Sequence, residues 1–239
     1  MRSMSSAQPL RPAASFAAGS EAYAIMKTLR SLKGEHKTAY FDSIAQQNKA
    51  NIFHCNAMLA GCATPQRARD FLLRMRDLGI APDVVSYTTM MQLEIKAPGG
   101  SIGAAEALFR EMKALNPPIV PNVRTHMVLI EGHGKNGRLE DAVAAWQRLL
   151  AEGLAANEYI YTALIDACAK RMDVDAADRI LDAALSDKLV KPNVQMFTAM
   201  IDLNARAGRG GKVKALWRDM MAAGVVLDTT AGALLRLFL

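Results

Sequence analysis

The amino-acid sequence predicts an all-α fold, a right-handed α-solenoid in which successive helix pairs stack on one another. Three features predict it: a junction that recurs every 32 to 39 residues, an apolar triplet between successive junctions, and Gly or Asn shortly after four of the five triplets. A helix pair of this size cannot bury its apolar faces alone, so neighbouring pairs must stack. No stretch alternates with period two for long enough to require a sheet.

Each junction is an Asp or Asn followed at once by a mostly apolar helix start, as in PDVVSYTTM (82–90). Asp and Asn are preferred N-caps because their side chains accept hydrogen bonds from the first free amides of a helix. The junctions are Asn51, Asp83, Asn122, Asn157, Asn193 and Asp228. They predict five repeats, 52–83, 84–122, 123–157, 158–193 and 194–228, with a degenerate helical repeat over 21–51 and a partial repeat or capping helix over 229–239. The extra length of the second repeat is expected in loops at 96–100 and 116–122.

The second helix of each repeat carries a small residue, a bulky residue and usually Met or Leu at positions i, i+4 and i+7, which share one helix face. The triplets are Ala68/Leu72/Met75, Ala105/Phe109/Met112, Ala142/Trp146/Leu149, Ala177/Leu181/Ala184 and Val213/Trp217/Met220. Gly79, Asn116, Gly153 and Gly224 follow four residues later, whereas the fourth repeat has Lys188 there. Gly and Asn tolerate the left-handed conformation that closes a helix.

The composition limits the classes of function. The chain has 239 residues, 51% of them hydrophobic, and a formal charge of +6, which suits nucleic acid but is also common on solvated surfaces. Three cysteines without CxxC spacing argue against disulfides and for a reducing compartment. The histidines have no metal-ligand spacing, and no apolar run approaches the ~18 residues of a membrane span. No metal, cofactor or membrane insertion is expected.

The first 20 residues differ from the rest, with two Arg, many Ser and Ala, and no acidic residue. This composition is typical of an organelle transit peptide, for a mitochondrion or a chloroplast, and equally of a disordered tail. At the other end, the apolar segment GALLRLFL predicts that a protein partner covers 229–239 or that the natural chain continues.

The repeats resemble the pentatricopeptide repeat across 52–228. The matching features are an aliphatic pair at the start, Tyr or Phe fourth, Thr or Asn fifth and a final Asp or Asn, clearest in PDVVSYTTM (82–90), EYIYTALIDACAK (158–170) and KPNVQMFTAMIDLNARAG (191–208). The W-x-x-L-G-x-x-Y signature of the tetratricopeptide repeat is missing. The resemblance implies binding of single-stranded RNA at about one base per repeat.

The resemblance also implies which residues contact RNA. The fifth and last residues of a repeat read a base edge, and here they are Asn56 with Asp83, Thr88 with Asn122, Met127 with Asn157, Thr162 with Asn193, and Thr198 with Asp228. Second residues flank the base: Phe53, Val85, Arg124, Tyr159 and Gln195. A basic row faces phosphates: Lys96, Lys135, Lys170 and Arg206. The family's base preferences give U-A-N-A-G, with the third base unspecified because Met127 cannot hydrogen-bond.

Two of these sets have an alternative explanation. N-capping alone would explain why the last residues are Asp or Asn. Complementing helix C-termini alone would explain the basic row. The fifth residues are harder to explain, because Thr and Asn are mildly unfavourable inside a helix. A further cluster, Arg67, Arg69, Arg74 and Arg76, indicates a solvated face or a contact with ribosomal RNA or an acidic subunit.

Two functions are compatible with this sequence. The first is an organellar RNA-binding protein that acts in transcript processing, stability or translation. The second is a structural adaptor in a large assembly such as an organelle ribosome, which contacts mainly protein and also ribosomal RNA. An enzyme is not expected, because the sequence has no catalytic carboxylate pair, no activated nucleophile and no phosphate-binding loop.

Overall fold

The computed structural model describes residues 20–97, 101–187 and 189–225, which form twelve α-helices and no strand. The helices are α1 Glu21–Ser31, α2 Gly34–Gln46, α3 Ile52–Leu59, α4 Pro65–Asp77, α5 Val84–Lys96, α6 Ile102–Ala114, α7 Val123–Lys135, α8 Leu139–Ala151, α9 Glu158–Arg171, α10 Val174–Ser186, α11 Val194–Arg206 and α12 Gly210–Ala222. The predicted tail 1–20, except its last residue, and the predicted terminal repeat 229–239 lie outside the described residues.

The chain divides into two compact units, residues 1–121 and 122–239. In the first unit, α1, α3 and α5 pack side by side, and α2, α4 and α6 each pack on the first helix of their pair. In the second unit, α7, α9 and α11 form the same kind of layer, with α8, α10 and α12 packed behind it. Within each unit, one layer of first helices therefore lies against one layer of second helices, as stacked repeats require.

Each segment predicted as a repeat contains one helix pair. Helices α3 and α4 fall within 52–83, and the later pairs follow in the same order. The segment 21–51 contains α1 and α2. Helix α6 ends at Ala114 and α7 begins at Val123, so the expected loop 116–122 lies between helices. The other expected loop includes residues 98–100, which lie outside the described residues.

The Asp and Asn junctions cap the first helices. The side chains of Asn51, Asp83, Asn122, Asn157 and Asn193 each accept a hydrogen bond from the backbone amide three residues on, at 2.9 to 3.1 Å. Asp83 and Asn122 form full capping boxes, in which the side chain of Ser86 or Thr125 bonds back to the cap. The capping role therefore operates at every described junction.

The apolar triplets form the buried face of the second helices, with two exceptions. Their small and last residues are 0 to 1% exposed. The bulky members Trp146 and Trp217 are only half-buried, however. The residues one position before them, Ala145 and Leu216, are buried instead. Because i+3 and i+4 lie on nearly the same face, a smaller neighbour can fill the interface while the indole lies at its edge.

Three of the predicted helix stops adopt the left-handed conformation, since Gly79, Gly153 and Gly224 have φ of 68°, 76° and 69°. The prediction for Asn116 is wrong, because α6 already leaves the helix at Leu115, which is extended (φ −64°, ψ 160°). Its long following loop needs no left-handed turn. The fourth-repeat position, Lys188, lies outside the described residues.

The arginine cluster on α4 is neither a purely solvated face nor a free RNA contact. Arg69 pairs with the buried Glu94 of α5 at 2.5 Å, and Arg74 pairs with Asp42 of α2 at 2.5 Å. The third, Arg76, donates to the hydroxyl of Tyr87 at 3.2 Å. These arginines therefore tie α4 to the helix pairs on both sides of it.

A second recurrent contact joins the two helices of a pair. The fourth residue of the first helix reaches an acid at the end of the second helix: Tyr87 donates to Glu111 at 2.8 Å, and His126 Nε2 lies 2.8 Å from Glu152 Oε2. Burial, followed by the bond to Glu111, raises the pKa of Tyr87 to about 12, so its hydroxyl stays protonated. In the second and third repeats, the fourth position is thus a buried polar link between the two helices.

The fold also bears on the expectations for disulfides, metal ions and membrane spans. All three cysteines are unpaired, and burial raises the pKa of Cys55 to about 12 and that of Cys168 to about 11. Within the described ranges, no group of three His, Cys, Asp or Glu residues can hold a metal ion. Nor is any helix there long and apolar enough to cross a membrane.

Candidate nucleic-acid interface

The second residue of each first helix from α3 to α11 is exposed. Phe53 is 39% exposed, Val85 50% and Tyr159 55%, and Arg124 and Gln195 are also exposed. The third and fourth residues, which follow directly, are buried in all five helices, so the second residue points away from the core. Exposed aromatic rings and an arginine can stack on bases, which supports but does not require RNA.

The fifth residues differ in what they offer a ligand. Thr162 and Thr198 are half-buried, and each hydroxyl donates back to the carbonyl four residues earlier, at 2.7 and 2.8 Å. Their lone pairs can therefore accept a hydrogen bond, but their protons are already used. These bonds also give Thr a role inside the helix, so no external ligand is needed to explain it. Thr88 is only 6% exposed and is the least accessible fifth residue.

The first expected pair forms a small polar network. Asn56 Nδ2 donates to Asp83 Oδ1 at 3.1 Å, and the Ser86 hydroxyl donates to Asn56 Oδ1 at 2.6 Å. Asp83 Oδ1 also accepts from the Ser86 amide at 2.9 Å, so it receives bonds from both Asn56 and Ser86. The structure therefore brings Asn56 and Asp83 together, and Asn56 uses both the nitrogen and the oxygen of its side-chain amide within this network.

The other last residues use their side-chain oxygen as a cap. Asn157 and Asn193 each accept one amide bond through Oδ1, and Asn122 accepts from both the amide and the hydroxyl of Thr125. Their side-chain amide nitrogens are the groups left to donate to a base. Asp228 lies outside the described residues.

The four cations of the basic row are all exposed at the ends of their first helices. Lys170 Nζ donates to the carbonyl of Gly134 at 3.4 Å, and Arg206 Nη2 donates to that of Ala169 at 3.3 Å. Both carbonyls lie in the last turn of the preceding first helix. Complementing a helix C-terminus is therefore part of the role of Lys170 and Arg206, and their exposure leaves them able to contact phosphate as well.

Three kinds of expected RNA contact meet in one groove of the second unit. It has a volume of about 530 Å³ and contains the fifth residues Met127 and Thr162, the second residue Tyr159, and the cations Lys135, Lys170 and Arg206. The groove residues that the sequence did not single out are Glu131, Gly134, Ala163, Asp166, Ala167 and Ala169. This groove is the candidate interface, and below we call it the α7–α9 groove.

The floor of the α7–α9 groove depends on small residues. A Cβ added at Gly134 would lie 3.0 Å from Cβ of Ala167, which is tighter than almost all real contacts of this kind. Gly134 therefore lets α7 and α9 approach closely. A glycine inside an otherwise good helix was the sequence signal for this contact, since glycine disfavours helix interiors.

Stacked helix pairs and a groove between first helices define a helical-repeat protein of the α-solenoid class. The family model described as the pentacotripeptide-repeat region of PRORP matches residues 38–182, and the PPR repeat model matches 195–225. The first match covers more than half of the chain, so the protein belongs to the pentatricopeptide repeat family. The all-α solenoid fold predicted from the sequence is confirmed.

Relatives and solved structures agree with this assignment. The pentatricopeptide repeat-containing protein CRR2, chloroplastic, of Arabidopsis thaliana is 22% identical over 207 residues, which cover 87% of this chain and 29% of that protein. The maize protein PPR10 with an 18-nucleotide psaJ RNA element superposes with a TM-score of 0.65 at 20% identity, over 89% of this chain and 31% of that one. The PPR domain of Arabidopsis thaliana PRORP1 with tRNA gives 0.62 at 13% identity, over 84% and 95%.

At these identities the superpositions show the fold alone. The chain spans under a third of the length of CRR2 and PPR10. Several relatives carry chloroplastic or mitochondrial in their names, in agreement with the organellar location expected from the sequence.

Proposed function

We propose that this protein binds single-stranded RNA in an organelle and acts in transcript processing, stability or translation. The observation that carries the proposal is the α7–α9 groove, where an exposed aromatic ring, two fifth-position side chains and three cations lie together. An extended nucleic-acid strand presents the matching groups, namely base faces, base edges and phosphates. The proteins PPR10 and PRORP1, which have the same fold, were solved with RNA, and this similarity supports the proposal.

Each part of the groove has a chemical role in the proposed complex. The Tyr159 ring is the stacking surface, and base–aromatic stacking contributes about 1–3 kcal/mol per base. The Thr162 hydroxyl, whose proton is donated to Glu158, accepts a hydrogen bond from an exocyclic amino group. Lys135, Lys170 and Arg206 attract the phosphate backbone without regard to sequence.

The adaptor function remains the second candidate, because two fifth-position residues offer little to a base edge. Thr88 is 6% exposed, and Met127 has no effective hydrogen-bonding group. An array with few effective readers gains from a neighbouring protein that adds contacts. In that case the same surface contacts protein, together with ribosomal RNA.

Base preference at the third and fourth positions tests the proposal. Competition is measured among short RNAs that contain UAAAG, UACAG or UAACG, placed parallel to the repeats as the family resemblance implies. We expect the first two to bind alike, because Met127 does not read the third base. The third should bind about 5- to 150-fold more weakly, because the family resemblance implies a preference for adenine at Thr162 and Asn193, and a mismatch costs about 1–3 kcal/mol.

The Thr162→Val variant is the matched control, because it keeps the side-chain shape and removes only the hydroxyl. It should lose the preference for UAAAG over UAACG while still binding both RNAs. Equal competition by all three RNAs against the wild type would show that the fifth and last residues do not read bases. If no RNA binds in the micromolar range, the adaptor function replaces this proposal.

A further inference from the structure

A carboxylate lies one helical turn before each of the three cations of the α7–α9 groove. Glu131 Oε2 is 3.6 Å from Lys135 Nζ, and Asp202 Oδ2 is 2.9 Å from Arg206 Nε. The third member, Asp166, precedes Lys170 by the same four residues. Residues four apart share a helix face, so each acid and the cation that follows it are neighbours on that face.

Two of these carboxylates belong to the groove itself, and Asp202 reaches it through its pair with Arg206. Glu131 and Asp166 line the same groove as Lys135 and Lys170. Partial burial raises the pKa of Asp166, and the nearby Lys170 ammonium opposes that rise. Lys170 therefore favours the charged form of Asp166.

The pairing leaves the cations with fewer donors for a ligand. Arg206 uses Nε for Asp202 and one N–H of Nη2 for the carbonyl of Ala169, which leaves three of its five N–H donors. A phosphate oxygen and a carboxylate oxygen compete for the same N–H groups, and two anions on one cation repel each other. An incoming strand must therefore share or displace the carboxylate.

We propose that Glu131, Asp166 and Asp202 are positioning residues that hold the groove cations against the protein and keep the affinity for the RNA backbone low. The inference rests on the proposed function, since it assigns a regulator of the same site. Low backbone affinity weakens binding to every sequence by the same factor, because phosphate contacts carry no sequence information, so an RNA without matching bases is the first to fall below useful affinity. The carboxylates thus limit binding to unrelated transcripts.

The first unit provides an internal comparison. The residue four before Lys96 is Gln92, which is neutral. This basic-row position therefore lacks the carboxylate that the other three have. Adding it through Gln92→Glu should lower RNA affinity, which is the opposite of the change expected from removing an acid elsewhere.

The test compares two double variants of equal charge. Glu131→Gln/Asp202→Asn, the groove variant, removes the two acids that pair with Lys135 and Arg206. Asp182→Asn/Asp219→Asn, the control variant, removes two exposed acids from the second helices α10 and α12. The dissociation constant for unstructured RNA is measured by fluorescence anisotropy at several salt concentrations. The groove variant should bind about fivefold tighter than the control variant, an effect of the size expected for two exposed ion pairs. Its log–log salt slope should be steeper by up to about 1.4, or 0.7 for each freed cation.

A gain of the same size for UAAAG and UAACG is also expected, because the acids act on the backbone contacts. The conservative variant Asp202→Glu should bind like the wild type. Retention on a heparin column measures the same cations without bases, so it decides the inference even if no RNA binds and the proposed function fails. Equal elution and equal salt slopes for the groove and control variants would overturn the inference.

Discussion

Replacing Lys96, Lys135, Lys170 and Arg206 with Gln is expected to weaken RNA binding for every sequence and to flatten its salt dependence. Each phosphate contact contributes about 0.7 to the log–log salt slope on a single strand, so losing four should reduce the slope by about 3. The reduction should be smaller if the groove carboxylates already neutralise part of this charge. Anisotropy titrations between low and physiological salt provide the measurement.

The control for that experiment removes four exposed cations from second helices. Arg110, Arg179, Lys214 and Arg218 are suitable, because all are exposed on α6, α10 or α12. Their replacement changes net charge equally and should alter the salt slope much less. Because Lys170 and Arg206 also donate to helix carbonyls, the variant in which all four basic-row cations are replaced should lose up to about 1 kcal/mol of unfolding free energy for each of these two contacts. An unchanged slope would mean that the basic row serves the helix ends only.

The Arg69→Met variant is expected to lose about 2–3 kcal/mol of unfolding free energy. The Glu94 side chain is 2% exposed and pairs with Arg69 at 2.5 Å, so removal of the cation leaves a buried carboxylate without its partner. Breaking such a pair costs more than the pair contributes, because the remaining charge stays desolvated. Urea unfolding followed by circular dichroism measures the change.

Two further variants show whether the buried charge is the cause. Arg69→Met/Glu94→Leu removes both charges and should recover most of the loss, since apolar replacements of buried pairs are often neutral. Arg67→Met, on the same helix at an exposed position, should change stability by less than about 0.5 kcal/mol. If Arg69→Met and Arg67→Met are alike, the Arg69–Glu94 pair does not stabilise the repeat interface.

The sequence predicted the repeat architecture well because the signals are local and repeated. Asn157, for example, marks the start of α9 by the same capping chemistry that the structure shows. The glycine stops Gly79 and Gly153 were predictable for the same reason, since positive φ strongly selects glycine. Asn116 failed because a long loop after α6 removes the need for a left-handed turn, which its residue type alone does not reveal.

The contacts between repeats were less predictable, because they depend on which side chains meet in space. The Arg69–Glu94 pair joins residues 25 positions apart, and neither residue is unusual in its own helix. The hydroxyl bond of Thr162 is invisible in composition, although it changes what that residue can offer a base. Likewise, the acids of the α7–α9 groove follow helical spacing, but only the structure shows that they line the groove with the cations.

Cross-linking of RNA to its contact residues tests the central claim, that the α7–α9 groove binds RNA. A single-stranded RNA carrying 4-thiouridine is cross-linked to the protein, and tryptic peptides are identified by mass spectrometry. The proposal predicts cross-links in peptides 125–135 and 149–170, which contain Met127 and Tyr159. Cross-links confined to 139–148 and 180–188, which carry the second helices α8 and α10, would contradict it.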